Sequence, residues 1–396
     1  MSSKKIKQAI IFCGGKGTRL GKVTEIVPKP LIIINSKPFL YYLLRKLENE
    51  GVDQVILLTG YLSEKFEKFL SKYSNDFKLK IETAYLDEKY ETYQRIKNIE
   101  NKLSDSFYIL YGDNYWDGNF SEQQSLLADY DLITTTYETK FNEQGNLSLL
   151  KKNKQIKFSK IKKDNFELLD MGFMICKKKA LIKIFKKNDK NLKFSEIVFT
   201  ELIKKNAMAV SKSHVRHKSI GTIEGINLTR KYLKNKKFIF LDRDGVLNEK
   251  AKKADYIKNP KEFIWKKGSL EGLKYLNQKN YKIIIVSNQP GIARGKMTKH
   301  DLSMINKKIF SDCKNNDIKI HDIFYCLHNW DDGCYCRKPE PGLLIKAQNK
   351  YNIQLSTSYF IGDDIRDIEA GKKVYTKTIK LNKKDSLLDV LLKLEL

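Results

Sequence analysis

The chain has 396 residues, 41% of them hydrophobic, and a formal net charge of +28. That length exceeds what one hydrophobic core usually serves, so two domains are expected, and no apolar run approaches the roughly 20 residues of a membrane-spanning helix. The charge does not imply nucleic acid: of 75 Lys and Arg only nine are Arg, the residue whose planar guanidinium reads bases and phosphates.

The lysines are spread along the chain, as in "KKNKQIKFSKIKKD" and "CKKKALIKIFKKNDK". They read as solvated faces, with attraction for small anionic substrates as a by-product. Neither nucleic-acid binding nor membrane insertion is expected. A homo-oligomer is allowed without being specified. The start, "MSSKKIKQAIIFCGGKG", is basic and then apolar. Its apolar stretch is too short for a signal peptide, and glycines stand where a cleavage site would lie. It reads as the first strand of a cytoplasmic protein.

Short runs rich in Ile, Val and Phe alternate with amphipathic segments, the pattern of α/β layers around a mostly parallel sheet. The first half offers the strands "QAIIFCGG", "QVILLTGY", "FYILYGDN" and "DLITTTYE". A helix, "PFLYYLLRKLENEG", closes at Gly51 as a C-terminal cap would. The pattern restarts after a lysine-rich segment, which places a boundary near residues 232–237 and domains at 1–232 and 236–396. The second half offers "KFIFLD", "YKIIIVSN", "IHDIFYC", "SYFIGDD" and "KTIKLN", with helices such as "GSLEGLKYLNQKNY" between them.

In the first half, Gly14, Gly15 and Gly17 follow a strand and precede Thr18 and Arg19. Glycines let backbone N–H groups approach phosphates closely, although the cluster fits neither the dinucleotide fingerprint nor the P-loop. With Arg19 and the later "PKP" it resembles the signature GGxGTRL…PKP of the sugar-1-phosphate nucleotidyltransferases. The likeness runs over about residues 7–232, through "SKPFLYYLL", "LLTGY" and "YGDN", and is closest to the heptose 1-phosphate guanylyltransferases. It implies a Rossmann-like domain in which a sugar-phosphate oxygen attacks the α-phosphorus of an NTP, GTP or CTP. The resemblance gives Gly14, Gly15, Gly17, Thr18, Arg19 and Thr92 to the nucleotide, Arg19 and Lys29 to its triphosphate, and Asp113 to Mg²⁺. Three departures stand out. Glu91, Tyr93 and Gln94 replace glycines of the family's LGTGGA segment. Ser219 occupies the place of the family's second metal-binding Asp, for which Asp170 or Glu224 are candidate substitutes. The sugar-phosphate lysine is not pinned within "KFSKIKKD".

In the second half, "FIFLDRDGVLN" puts Asp242 and Asp244 two residues apart at a strand end. Side chains at i and i+2 start out on one side of a strand. Two carboxylates there repel unless a cation stands between them, so Mg²⁺ is implied. Ser287 and Asn288 end a second strand, Lys338 sits on a proline-stiffened turn, and Asp363 and Asp364 end another strand. This order of nucleophile, hydroxyl, lysine and distal acid resembles the four motifs of the haloacid dehalogenase (HAD) phosphatases across residues 236–396. The resemblance implies that Asp242 forms an aspartyl-phosphate and Asp244 is general acid and base. It further implies that Ser287 and Lys338 neutralise phosphoryl oxygens and that Asp363 joins Asp242 and Asp244 around Mg²⁺.

Cys326, His328, Cys334 and Cys336 fall within eleven residues, in a chain with six cysteines and five histidines. This spacing can close a tetrahedral Zn²⁺ site whose role is structural, because four protein ligands leave no open position. Cys334 and Cys336 are too close to bridge each other comfortably. Cys13, Cys176 and Cys313 read as small apolar residues. With "SNQPGIARG" and "CRKPEPG" the zinc loop resembles the heptose 1,7-bisphosphate 7-phosphatases, relatives of the histidinol-phosphate phosphatases. It implies substrate contacts from Asn288, Arg294 and Arg337. Here Asp364 stands where those enzymes tend to carry Lys. The expectation is therefore a bifunctional enzyme of nucleotide-activated heptose synthesis. Two rivals are the same chemistries on another phosphosugar or phosphopolyol with CTP, and a phosphatase joined to a non-catalytic nucleotide-binding module.

Overall fold

The Ile/Val/Phe-rich runs fold as buried strands in the computed structural model, which describes residues 5–139, 144–149, 156–163, 166–234, 236–252 and 255–396. Three points raised by the sequence lie outside them: Asn235 in the expected linker, the Lys162 side chain and Asp164. The chain divides into two compact units, Met1–Leu233 and Lys234–Leu396. No helix among the described residues is long and apolar enough to cross a membrane.

The first unit is built on nine strands: β1 (Gln8–Phe12), β2 (Gln54–Thr59), β3 (Lys80–Tyr85), β4 (Ser106–Tyr111), β5 (Leu132–Glu138), β6 (Gly145–Leu149), β7 (Ile156–Lys163), β8 (Leu168–Lys177) and β9 (Met208–Ser213). They run in the order β7-β6-β8-β4-β1-β2-β3, with β5 on β8 and β9 on β5. Strands β4, β1, β2 and β3 are mutually parallel. Every β1 side chain is buried, as suits a strand covered on both faces. The expectation of a mostly parallel sheet fails around β8, which is antiparallel to β4, β5 and β6. The reason is connectivity. A parallel step needs a crossover of a dozen or more residues, usually a helix, and none lies between β5 and β8 among the described residues. The chain leaves β1 toward β2 and β3, then returns to its other side as β4. Ligands bind at such switch points, outside the carboxyl ends of the strands.

The second unit has five parallel strands: β10 (Phe238–Leu241), β11 (Lys282–Asn288), β12 (Ile320–Cys326), β13 (Tyr359–Gly362) and β14 (Lys377–Lys380). Their order is β12-β11-β10-β13-β14, with β10 at the switch point between β11 and β13. Phe238, Ile239, Phe240 and Leu241 are all buried, and each such side chain stabilises by about 1.5–3 kcal/mol. That anchoring offsets the cost of holding Asp242 at the strand's end. Asp242 N–H donates to the Ile361 carbonyl at 3.0 Å, so the first residues after β10 and β13 share one edge.

Candidate active sites

The carboxyl edge of the second unit's sheet opens into a cavity of about 550 Å³. Asp242, Asp244, Ser287, Asn288, Arg337, Lys338, Asp363 and Asp364 all line it. Lys338 is its buried centre. Its ammonium donates to Asp242 Oδ1 at 2.8 Å, Asp367 Oδ1 at 2.5 Å and the Val286 carbonyl at 3.0 Å. Burial pushes the Lys338 ammonium's pKa down, but the Asp242 and Asp367 charges outweigh it and hold it above the ordinary value. Burial pushes the Asp242 carboxyl up to about 7, with the Asp367 and Asp244 charges adding to the rise and Lys338 opposing it.

Three carboxylates, Asp242, Asp363 and Asp367, bring one oxygen each within 4.8 Å of one another. Asp363 Oδ2 takes Lys250 Nζ at 2.6 Å, while its Oδ1 is buried without a hydrogen-bond partner. A hard divalent cation with oxygen ligands fits such a donor set. The membership differs from the sequence expectation. The Asp244 side chain is outside the three-carboxylate group, because its lone pairs are taken. Arg243 Nη2 reaches both Asp244 oxygens at 2.9 Å, Asn248 Nδ2 donates to Oδ1 at 2.9 Å, and Gln289 Nε2 donates to Oδ2 at 2.7 Å. Burial pushes this carboxyl up, yet the Arg243 charge and these hydrogen bonds hold it below its ordinary value. Gly245, at φ +91°, makes the turn possible: a Cβ there would run into Asp363 Oδ2.

Ser287 is buried and accepts from Gln289 Nε2 at 3.0 Å. Asn288 lines the cavity, but both ends of its amide hold Lys338's backbone, at 3.0 and 3.1 Å. Arg294 is not at the cavity wall. It donates to the Tyr256 hydroxyl at 2.8 Å, and Tyr256 is the lining residue. Asp364 caps the helix Ile365–Lys372 and is forked by Arg366. Its carboxyl lies far below the ordinary range, chiefly because of that Arg366 hydrogen bond. Sequence reasoning passed over Asp367, Arg243 and Gln289, although "GDDIRD", "DRD" and "SNQ" display them. Which carboxylate meets Lys338 depends on the helical turn after Asp363, which spacing alone does not reveal.

The Cys/His cluster also assembles. Cys326 Sγ lies 3.6 Å from His328 Nδ1 and 3.6 Å from Cys334 Sγ, and Cys336 Sγ lies 3.1 Å from His328 Nδ1 and 3.6 Å from Cys334 Sγ. Four ligands about 2.3 Å from one ion would stand roughly 3.7 Å apart. A disulfide needs about 2.05 Å, and all six cysteines are free. Cys13, Cys176 and Cys313 are buried, as small apolar residues would be.

In the first unit a hollow of about 330 Å³ opens at the switch point, lined by Gly14, Gly15, Lys29, Thr92 and Asp113 among others. The Gly112 N–H donates to the Phe12 carbonyl at 2.9 Å, which sets the glycine loop after β1 beside the acid after β4. Lys29 Nζ is 3.4 Å from Asp113 Oδ2. Gly17, Thr18 and Arg19 do not line this hollow. Gly17, at φ +70°, instead packs on the Lys29 chain, where a Cβ would meet Lys29 at 2.6 Å. The Thr92 hydroxyl accepts from Phe194 N–H at 2.7 Å. Arg95, unremarked in the sequence, is buried beneath the loop and donates to the carbonyls of Thr59, Leu86 and Asp87.

Ser219 pairs with Asn114 in a short antiparallel ladder, and the Ile220 N–H donates to the Asp113 carbonyl at 3.0 Å. Ser219 therefore stands beside Asp113. Neither Ser219 nor its two candidate substitutes lines the hollow: Asp170 is held by Thr134 at 2.6 Å and Gly172 N–H at 3.2 Å, and Glu224 is exposed.

Comparison with known proteins completes this picture. The nucleotidyl transferase family matches residues 8–226, and the polynucleotide kinase 3 phosphatase family matches residues 237–387. A D-glycero-alpha-D-manno-heptose-1,7-bisphosphate 7-phosphatase of Photorhabdus laumondii is 38% identical over 145 residues, covering 35% of this chain and 77% of that one. A D-glycero-beta-D-manno-heptose-1,7-bisphosphate 7-phosphatase of Neisseria meningitidis is 34% identical over 134 residues, covering 34% of this chain and 71% of that one. A structure described as a glucose-1-phosphate thymidylyltransferase from Bacillus anthracis covers 58% of this chain and 98% of its own at 17% identity, with a TM-score of 0.51, a likeness of fold. The chain is therefore an enzyme that belongs, over its first unit, to the nucleotidyl transferase family and, over its second, to the family of the heptose 1,7-bisphosphate 7-phosphatases.

Proposed function

We propose that the second unit removes the 7-phosphate of a heptose 1,7-bisphosphate, and that the first unit couples the resulting heptose 1-phosphate to a nucleotide. The observation that carries the reading is the buried Asp242–Lys338–Asp367 arrangement, with Asp363 beside it, at a sheet edge whose sequence relatives are heptose 1,7-bisphosphate 7-phosphatases.

In the phosphatase step an Asp242 carboxylate oxygen attacks the phosphorus of the 7-phosphate. The bond from phosphorus to the sugar oxygen breaks, and that oxygen takes a proton from Asp244, which must enter the step in its protonated form although Arg243, Asn248 and Gln289 hold it ionised at rest. Lys338 and the Ser287 hydroxyl hold the phosphoryl oxygens. Asp244, now a carboxylate gripped by Arg243, Asn248 and Gln289, takes a proton from water, which attacks the aspartyl-phosphate. Inorganic phosphate leaves and the Asp242 carboxylate returns. Asp242, Asp363 and Asp367 would hold Mg²⁺, which would neutralise charge on nucleophile and phosphate together. Cys326, His328, Cys334 and Cys336 would hold Zn²⁺, which would fix the loop that presents Arg337 and Lys338.

In the transferase step an oxygen of heptose 1-phosphate attacks the α-phosphorus of the NTP, and pyrophosphate leaves. Gly14 and Gly15 bring backbone N–H groups to the triphosphate, Lys29 supplies positive charge, and Asp113 holds Mg²⁺. Arg19 does not line this hollow, and its role at the triphosphate rests on the resemblance alone. Glu91, Tyr93 and Gln94 in the segment that replaces family glycines favour testing CTP beside GTP, which is the second reading.

The test is ³¹P NMR of the chain with α- or β-heptose 1,7-bisphosphate, Mg²⁺ and GTP or CTP in turn. Inorganic phosphate together with new diphosphate resonances is expected. Triphosphates left intact by heptose 1-phosphate would overturn the transferase half. Bisphosphate left intact would overturn the heptose assignment.

A further inference from the structure

The three carboxylates that face one another at the phosphatase sheet edge are not held alike. Asp242 accepts from Lys338 at 2.8 Å and from the Arg243 N–H at 2.8 Å. Asp367 accepts from Lys338 at 2.5 Å and from the Asp364 N–H at 3.1 Å. Each of these two is fixed by one buried ammonium and one backbone group. Asp363 has neither. Its Oδ2 accepts from Lys250 Nζ at 2.6 Å, its Oδ1 is buried and unpartnered, and among the described residues its side chain has no other hydrogen-bond or ion-pair partner. Lys250 lies on the loop that follows β10 and lines the cavity. Its stem reaches Asp363 across Gly245, where a Cβ would run into both Lys250 Cε and Asp363 Oδ2. The Lys250 side chain is 51% exposed, so the contact does not serve to seal a core.

We infer that Lys250 is a positioning residue for the divalent cation: by taking Asp363 Oδ2 it turns the carboxylate so that Oδ1 is the oxygen left for the metal. The inference rests on the cation site of the phosphatase reading above and deepens it. The last side-chain torsion of Asp is broad. A carboxylate free to rotate loses that freedom when it ligates a metal, and one already held by an outer partner has less to lose. Charge alone argues the other way, because an ammonium close to a divalent cation repels it. Orientation and repulsion therefore predict opposite signs when the Lys250 ammonium is removed.

The test is Mn²⁺ binding, read by electron paramagnetic resonance, to the full chain carrying Asp113→Asn, which confines the measurement to the second unit's carboxylates. Mn²⁺ takes carboxylate oxygens as Mg²⁺ does, and it does not compete for thiolates that hold Zn²⁺. Adding Lys250→Met should raise the Kd about 10- to 100-fold, the usual scale for losing an outer partner of a metal ligand, with the urea unfolding midpoint unchanged. Lys250→Arg keeps a donor for Oδ2 and should recover most of the loss. Binding that is unchanged or tighter in Lys250→Met would overturn the inference, since the ammonium would then be a bystander or a repelling charge. Lys250→Arg binding as weakly as Lys250→Met would overturn it too. A parent chain that takes up no Mn²⁺ would remove the cation site of the phosphatase reading together with the role of Lys250. A parent that binds, beside a Lys250→Met that binds equally well, would sink the inference alone.

Discussion

Asp242 and Asp244 stand two residues apart, yet the structure gives them opposite surroundings. Asp242 shares Lys338 with Asp367 and has its carboxyl raised to about 7 by burial. Asp244 is surrounded by donors and stays ionised. A nucleophile must be ionised and a general acid protonated. These resting states are the reverse, so in the proposed reaction the binding of cation and phosphate has to lower Asp242 and raise Asp244. Asp242→Asn should abolish phosphate release from the bisphosphate while leaving nucleotidyl transfer to added heptose 1-phosphate unchanged. Phosphate release that persists in this variant would remove Asp242 from the chemistry. Arg243 is itself fully buried, 1% exposed, and pairs with Asp244. Arg243→Met keeps the bulk but strands the Asp244 charge, so urea unfolding should show the second unit destabilised by about 3–5 kcal/mol. An unchanged midpoint would mean that water or another cation already compensates Asp244. The sequence displayed Arg243 and Gln289 in plain view. Their role was not legible there, because hydrogen-bond partners are a property of side-chain placement.

The loop after β12 carries the Cys/His cluster immediately before Arg337 and Lys338. Its four donors were legible from spacing alone, since ligands so close in sequence leave the chain few ways to separate them. Metal analysis should find about one Zn²⁺ per chain. Cys334→Ser should lose it and cut phosphatase activity about 10- to 100-fold, the usual scale for loosening support around a site. Full activity without metal would remove the loop's supporting role. The ladder of Asn114–Tyr115 with Lys218–Ser219 makes a parallel case in the first unit. It brings the Ser219 backbone beside Asp113, the residue proposed to hold Mg²⁺. Ser219→Asp should raise the rate of pyrophosphate release at limiting Mg²⁺ by about tenfold, equivalent to ~1.4 kcal/mol. A slower variant would show that the hydroxyl, not a missing carboxylate, is what the site uses.

At the scale of the whole chain, two α/β units each place their site at a sheet's switch point. The proposed reactions are in series, and this has a kinetic signature. With bisphosphate and NTP, inorganic phosphate should appear before any nucleotide sugar. Asp113→Asn should leave phosphate release intact and stop the time course at heptose 1-phosphate, read by ³¹P NMR. Nucleotide sugar forming before phosphate release would reverse the order and refute the series.

The sequence by itself determined two α/β folds and the Cys/His cluster. Those follow from local rules: apolar runs, glycines at turns and donors a few residues apart. The strands bearing Asp242, Ser287 and Asp363 were readable for the same reason. Only the tertiary structure decided the rest. It turned β8 antiparallel, gave Arg294 to the Tyr256 hydroxyl and Asn288 to the Lys338 backbone, and brought Asp367 to the Lys338 ammonium. Each of these depends on contacts between residues far apart in the chain, where packing and charge neutralisation, rather than spacing, select the partner.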